Sequence, residues 1–410
     1  MRDGGSKDDS DGLRAEGAGG TGSGGTGSGG RWRGLRDHRL AVPAVALVVL
    51  VAAGVAIPLV LAGSDDTSAQ ACWHLTSSDR ALADDPRAAT KALDPGDDLA
   101  RLGSARKLLR HESVCGDGVQ VLGRIVDAAT RSAGPGRPHT LAQARTAYAV
   151  TAAVHDLKLP EGLAPGLARM VAEYVVDAGK DKGWGINDLP GPAVTPEEAR
   201  PDAEGWSVFG RFLAPDEAHS VFGYADSSLG ADADMESLVA ELSKDPEAFA
   251  ILYDAERADL AHYLERLTDD GGDPGFRPPS RPDSLSTPTA GSDNDLQDVA
   301  GRIGTLMNHR AGYARDRTIA DLAEFDRTVR RNTRGTFRPA ENQLDSRPVM
   351  GDIADRPAAG PVHGDLMDGR HQVFTVLDAW AKDRGVPAGR AAAIKQLMDD
   401  AYVRALWLRF

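Results

Sequence analysis

Four potential metal ligands lie within one short stretch towards the end of the chain. Residues 362–374 read VHGDLMDGRHQVF. The potential ligands are His363, Asp365, Asp368 and His371. Imidazole and carboxylate both bind zinc, and a catalytic zinc site needs three protein ligands and one open position. The stretch is therefore a candidate metal site, although its spacing differs from H-E-x-x-H. The alternative is a helix over 369–382 whose first turn is capped by Asp365 or Asp368.

Part of this stretch, HGDL, resembles the catalytic loop of aminoglycoside phosphotransferase-like kinases. The resemblance implies that Asp365 orients an acceptor hydroxyl and that Asp378, within VLDAW, binds a metal. Arg370 stands where that family has a metal-binding Asn, and a guanidinium cannot bind a cation. The sequence upstream has neither a Gly-rich phosphate loop nor a Lys-bearing strand. The resemblance is confined to residues 363–378 and does not establish a kinase.

A second candidate for catalysis lies in residues 111–121, HESVCGDGVQV. Its Glu-Ser pair resembles the acid of lysozyme-like transglycosylases, and the resemblance implies that Glu112 is a buried general acid. The Gly-x-x-Gln element of that family would fall at Gly118–Gln120, where the spacing is one residue short. The alternative for this stretch is the end of a helix beside a disulfide.

Cys72 and Cys115 are the two cysteines of the chain. An even pair of cysteines on the oxidising side of a membrane predicts one structural disulfide. Two free thiols or a redox pair are the alternatives, and the wide spacing differs from the C-x-x-C redox motif.

Residues 40–63, LAVPAVALVVLVAAGVAIPLVLAG, form an uncharged apolar run. As a helix this run is roughly 35 Å long, which is sufficient to cross a hydrocarbon core of about 30 Å. Four arginines precede it within residues 31–39, and Asp65 and Asp66 follow it. This asymmetry predicts a cytoplasmic N-terminus and an extracytoplasmic C-terminus. The alternative is a leader cleaved after Ala71, or a lipidated form, but the run exceeds the about 7–15 residues of a signal peptide.

The remainder of the chain predicts an all-α fold. Residues 1–39 form a Gly/Ser-rich, disordered cytoplasmic tail, a flexible tether or spacer. A helical extracytoplasmic domain follows over 64–268, then a Pro/Gly/Ser-rich linker over 269–295 and a helical C-terminal region over 296–410. Thr140 and Gln143 form a capping-box pattern, and Asp245 followed by Pro246 marks the start of the strongest helix.

That strongest helix, residues 246–268, predicts one apolar and one charged face. The apolar face carries Phe249, Leu252, Tyr253, Leu260, Tyr263, Leu264 and Leu267. The opposite face carries Glu247, Asp254, Arg257 and Glu265.

Three aromatic residues, Trp184, Trp206 and Phe209, lie in Gly-rich surroundings between helices. On loops, such side chains are candidates for partner binding. The alternative is that they cover a helical core.

The charge of the chain excludes some partners. The formal net charge is -14, and residues 64–410 carry 40 basic and 55 acidic side chains. Such an acidic chain would repel phosphate backbones, so we do not expect nucleic acid as a partner. Along the sequence we find no basic cluster apart from residues 31–39.

Together these patterns predict a single-pass cell-membrane protein. High Arg, Ala and Gly content is typical of a GC-rich bacterium, so the outer region would face the cell wall. We favour a non-enzymatic binding or scaffold protein of the bacterial cell envelope, without a cofactor. Its partner would be another envelope protein or a cell-wall component. The alternatives are an envelope hydrolase, metal-dependent at 363–371 or acid-catalysed at Glu112, and an exported helical effector module.

Overall fold

The structure is a computed structural model, and it describes nine stretches of the chain. They are residues 72–96, 99–180, 189–201, 206–211, 213–226, 230–273, 291–334, 347–354 and 369–407. Residues Asp66–Phe410 form one compact unit, which is predominantly helical and confirms the all-α prediction. The predicted tail 1–39 and membrane span 40–63 lie outside the nine stretches. No helix within them is long and apolar enough to cross a bilayer.

Fourteen α-helices occur in the described stretches. They are α1 Ser77–Ala81, α2 Pro86–Leu93, α3 Gly103–Leu109, α4 Gly118–Thr130, α5 Leu141–Val154, α6 Ala164–Glu173, α7 Val175–Ala178, α8 Met235–Leu242, α9 Pro246–Leu264, α10 Gly291–Arg315, α11 Leu322–Asn332, α12 Met350–Ala354, α13 Gly369–Arg384 and α14 Ala388–Trp407. Two short 3-10 helices, Leu82–Asp84 and Leu99–Leu102, lie among the first of these.

Side-chain caps fix where the main helices begin. The backbone N–H of Gln143 donates to Thr140 Oγ1 (3.3 Å), and the N–H of Thr140 donates to Gln143 Oε1 (2.9 Å). This reciprocal pair is the capping box that the sequence predicts for α5. Asp245 Oδ1 accepts from the N–H groups of Glu247 and Ala248, both at 2.9 Å. The predicted cap of α9 is therefore confirmed.

Helix α9 is surrounded by other helices, so most of its charged face is buried as well as its apolar face. It contacts α6, α10, α11, α12 and α13. Asp254 and Glu265 are each only 2% exposed, and Arg257 is 0% exposed. Burial of these charges is tolerated because they have partners. Arg257 Nη1 donates to Asp254 Oδ1 (3.1 Å), and the backbone N–H of Arg334 donates to Asp254 Oδ2 (2.6 Å).

Helices on both sides of the predicted linker 269–295 contact each other. Helix α10, which begins at Gly291 within the predicted linker, and α13, which follows the linker, both pack on α9, which precedes it. The largest helix–helix interface is between α10 and α14. There Gly304 lies against the backbone of Tyr402, because a Cβ at 304 would be 2.6 Å from that carbonyl oxygen. The absent side chain allows close packing of the two helices.

Four two-residue strands form two antiparallel pairs, which the sequence did not predict. β1 Ala193–Val194 pairs with β4 His219–Ser220, and β2 Trp206–Ser207 pairs with β3 Gly210–Arg211. Segments this short are too brief to display the alternation by which a strand is recognised in a sequence. The β1–β4 pair contacts α5, which places His219 in the helical core.

The predicted disulfide is present between Cys72 and Cys115, whose Cα atoms are 5.3 Å apart. Backbone hydrogen bonds support it, because the Trp73 N–H donates to Ser113 O (2.8 Å) and the Cys115 N–H donates to Trp73 O (2.9 Å). The Trp73 ring stacks on His111 at 3.7 Å. The start of the helical region is thus joined to the segment that precedes α4.

Removal of the disulfide should destabilise the fold. The two cysteines are 43 positions apart. Closing a loop of that length should raise the free energy of unfolding by about 4 kcal/mol through loss of chain entropy in the unfolded state. We expect the double variant Cys72→Ser/Cys115→Ser to lose that amount in urea denaturation. Equal midpoints for the oxidised parent and the double variant would contradict this expectation.

Substitution by alanine should affect stability differently at two facing glycines, Gly123 of α4 and Gly166 of α6. A Cβ at Gly166 would lie 2.5 Å from Gly123 Cα, whereas a Cβ at Gly123 would lie 3.6 Å from Gly166 Cα. Gly166→Ala should therefore lower the free energy of unfolding by roughly 1–3 kcal/mol through overpacking. Gly123→Ala is the matched control and should leave stability unchanged or raise it by up to about 1 kcal/mol. Denaturant unfolding of both variants checks the order, and the reverse order would disprove the packing argument.

Candidate functional site

A cavity of about 290 Å³ opens between helices α6 to α10. Its wall is mostly aliphatic. The aliphatic part includes Val171, Val175, Val239, Leu252 and Leu306. Four ionisable side chains line the same cavity, Glu236 of α8, Glu256 of α9, and Arg302 and His309 of α10. A largely apolar cavity with a few convergent polar groups is the usual form of a small-molecule site.

Glu256 and Arg302 form the ionic part of this cavity. Arg302 Nε donates to both carboxylate oxygens of Glu256, at 3.0 and 2.9 Å, and Arg302 Nη2 donates to Asp259 Oδ2 at 2.7 Å. Burial raises the pKa of Glu256 to about 7, and the nearby Asp259 adds to this, although Arg302 opposes it. Near neutral pH the Glu256 carboxyl can therefore either donate or accept a proton.

The position of Arg302 depends on the absence of a side chain at residue 179. A Cβ at Gly179 would lie 2.6 Å from Arg302 Nη1 and 2.7 Å from its Cζ. Gly179 follows the end of α7, so the guanidinium fits against the backbone there. The neighbouring Lys180 donates to Asp295 Oδ1 of α10 (2.9 Å), which adds a second ionic link between these segments.

One ring nitrogen of His309 is available for a hydrogen bond to a ligand. Its Nε2 is buried, and within the described part of the chain it has no hydrogen-bond partner. Burial lowers the pKa of His309, so its imidazole is neutral at pH 7. A buried ring nitrogen without a partner costs free energy, and a ligand could remove that cost. The ring stacks on Tyr313 with centroids 6.1 Å apart.

A second buried polar cluster consists of His139, Glu173 and Glu217. His139 Nδ1 lies 2.7 Å from Glu217 Oε1, and its Nε2 lies 3.1 Å from Glu173 Oε2. The two carboxylates raise the pKa of His139 to about 9 despite the opposing effect of burial. All three side chains are at most 5% exposed. This inaccessible cluster therefore holds the fold together and does not form an open site.

Most of the predicted metal site lies outside the described residues, and it stays a prediction. His363, Asp365 and Asp368 lie outside the described stretches, and His371 is exposed on α13. The helix predicted over 369–382 is confirmed as α13. Asp378, which the kinase resemblance would make a metal ligand, lies 3.0 Å from Lys395 Nζ.

Cys72, His74 and Cys115 are the group whose ligand atoms lie close enough to hold a metal in the described part of the chain. Both sulfurs form the disulfide, so this group has no thiolate to offer. Glu112 is exposed, and the buried setting required by the acid-catalysed alternative is not found there.

The three candidate partner-binding aromatics also differ in position. Phe209 is 0% exposed and stacks on His219 with ring centroids 4.3 Å apart. This matches the alternative interpretation of an aromatic side chain in the helical core. Trp206 begins β2, and Trp184 lies outside the described residues. Partner binding by these two tryptophans stays a prediction.

The sequence analysis missed Glu256, Arg302 and His309. Charged residues on helices normally face solvent, so nothing in their local patterns marked them. One feature of the sequence could have pointed to them. Helix α9 carries many charged residues although its apolar stripe predicts packing in the core, so some of those charges had to be buried. Comparison with known proteins gives no match. No family model fits the chain, and no curated protein or solved structure is significantly similar to it.

The His139 cluster should make stability depend on pH. The folded-state pKa of about 9 exceeds the ordinary 6.5, so the cluster stabilises the fold fully below about pH 6.5 and progressively less up to about pH 9. The free energy of unfolding should fall by roughly 3 kcal/mol over that range. Urea unfolding at a series of pH values measures the fall.

His139→Gln provides the comparison, because an amide does not titrate in this range. Glu256, with its pKa of about 7, contributes equally to the parent and the variant. The difference between their pH profiles therefore isolates His139. Parallel profiles would show that His139 is not protonated in the folded state.

Proposed function

We propose that this chain is a membrane-anchored, non-enzymatic binding protein of the bacterial cell envelope. In this proposal its helical outer domain holds a small amphipathic molecule in the cavity between α6 and α10. The observation that carries the proposal is an aliphatic cavity wall that also contains Glu256 and the buried His309 Nε2, which has no hydrogen-bond partner among the described residues. Such a combination matches a ligand that has an apolar body and one polar head.

The charges of the cavity favour a particular head group. Arg302 is already occupied by Glu256 and Asp259, and Glu236 adds another carboxylate to the cavity wall. A carboxylate head would face these acids, whereas an amine or hydroxyl head could donate to Glu256 or His309. We therefore expect ligands with a cationic or neutral donor head.

Two sequence features support the envelope location. The apolar run 40–63 has the length and flanking charges of a signal anchor. The disulfide between Cys72 and Cys115 is of a kind that persists in oxidising compartments outside the cytosol.

One observation favours a second candidate function, an envelope hydrolase that uses Glu256. A carboxyl with a pKa of about 7 in the same cavity as a neutral imidazole is suited to acid–base catalysis. Against this, both oxygens of Glu256 accept hydrogen bonds from Arg302, which holds the carboxylate in an ion pair. We therefore favour binding over catalysis. Hydrolysis through residues 363–371 and an effector role stay alternatives.

A cavity-filling substitution should test ligand binding. We expect n-octylamine to raise the thermal midpoint of the purified chain, n-octanol to do so less and octanoate least. Val239→Phe should abolish the shift because the larger ring fills the cavity, and His309→Leu should weaken octylamine binding about tenfold. Differential scanning fluorimetry and calorimetry measure both effects.

Val208→Phe is the matched control, since Val208 is exposed and does not line the cavity. Its response to octylamine should equal that of the parent. An unchanged shift in Val239→Phe would refute the cavity as the binding site. Turnover of envelope fragments that Glu256→Gln abolishes would replace binding with the hydrolase.

A further inference from the structure

A groove of about 860 Å³ runs between α2, α4 and the start of α5. Four basic side chains line it. They are Arg87 and Lys91 on α2, Arg124 on α4 and Arg131 directly after the end of α4. All four residues are exposed. The groove is separate from the cavity of the proposed function, because the two share no lining residue.

Most of this positive charge is not neutralised by the protein. Arg131 Nε lies 3.1 Å from Glu173 Oε1, so this guanidinium has a partner. Arg87, Lys91 and Arg124 have neither a hydrogen-bond nor an ion-pair partner among the residues that the structure describes. Arg80, which pairs with Asp117, lowers the pKa of that carboxyl, and Arg124 also helps to lower it. The cations of the groove are thus only partly balanced, and a bound anion would reduce their mutual repulsion.

Two acidic residues also line the groove, and they reduce its charge only in part. Asp94 accepts from Arg145 Nε (2.8 Å) and Nη2 (2.9 Å), so its charge is already balanced. Asp127 lies on α4 beside the cations. In all, four cations and two carboxylates line the groove, so its lining carries an excess of positive charge. The groove is therefore positive on a chain whose net charge is -14.

The spacing of the cations indicates an extended partner. Arg87 and Lys91 are four residues apart on α2, which places them on one face about 6 Å apart along the axis. Arg124 on α4 and Arg131 at its C-terminal cap are seven residues apart, about 10 Å along the axis. Positive residues therefore recur along both helices that border the groove, an arrangement that suits an extended anion.

We propose that this groove binds an extended polyanion that carries one phosphate in each repeat of a polyol chain. Arginine forks and a lysine point charge both recognise phosphate oxygens. The same phosphodiester chemistry occurs in nucleic acids, but single strands are normally held by aromatic side chains that stack on the bases. The groove lining contains no aromatic residue among the described side chains. This favours a polyol phosphate over a nucleic acid.

Binding of fluorescently labelled poly(glycerol phosphate) to the purified full chain tests the proposal by anisotropy over a salt series. We expect the dissociation constant to rise with salt, with a log–log slope of about 2 for three contacted phosphates. Arg87→Ala/Arg124→Ala should weaken binding at least tenfold and reduce the slope by about 1.4. Both side chains are exposed, so the double variant should keep the thermal midpoint of the parent.

Lys107→Ala is the matched control, because it removes an exposed cation from α3 that does not line the groove. It should bind as the parent does. Equal binding by the parent and the double variant would overturn the proposal. The proposal would also be overturned if inorganic phosphate competed as well as the polymer at equal phosphate concentration. The same holds if oligo-deoxythymidine or polyglutamate bound as tightly as the polymer at equal charge. The Val239→Phe variant should retain polymer binding, so the proposal for the groove and the proposal for the cavity can be refuted independently.

Discussion

The pairing of buried charges on α9 is the constraint on which the arrangement of this fold depends. Taking an ion out of water costs several kcal/mol unless a partner is positioned against it. Glu256 and Asp259 both face Arg302 of α10, and Asp254 is paired with Arg257 on its own helix. The place of α10 beside α9 is thus set by charge as well as by apolar packing. The same pairing produces the polar part of the cavity.

The His139 cluster meets the same constraint in a different region of the fold. Glu217 accepts from the backbone N–H groups of His139 (3.1 Å) and Met350 (2.8 Å), so it links the start of α12 to the loop before α5. His139 and Glu217 are fully buried and Glu173 is only 5% exposed, so their effect is on stability. The Glu256 group differs because it lines the apolar cavity between α6 and α10. Accessibility, and not the residue types, distinguishes a structural cluster from a candidate site.

The cavity and the groove suit different partners. The cavity is apolar, has hydrogen-bond acceptors at one end and suits a small amphipathic molecule. The groove is open and basic and suits a long anion. They are built from different faces of neighbouring helices, since α6 lines the cavity and α4 lines the groove. For a protein held at the bacterial envelope, the groove would provide attachment to an anionic polymer while the cavity remains free for its ligand.

The sequence by itself determined the features that depend on neighbouring residues. The ends of α5 and α9 follow from Thr140, Gln143 and Asp245, because a cap acts within one helical turn. The helical class follows from periodicity, and the disulfide from the presence of two cysteines behind an apolar run. The membrane span stays a prediction from sequence. Only the tertiary structure decided which helix faces are buried, because a period of 3.6 residues does not tell how many neighbours a helix has. It therefore buried Asp254 and Arg257, created the cavity around Glu256 and His309, and brought the cations of α2 and α4 together although they are distant in the chain.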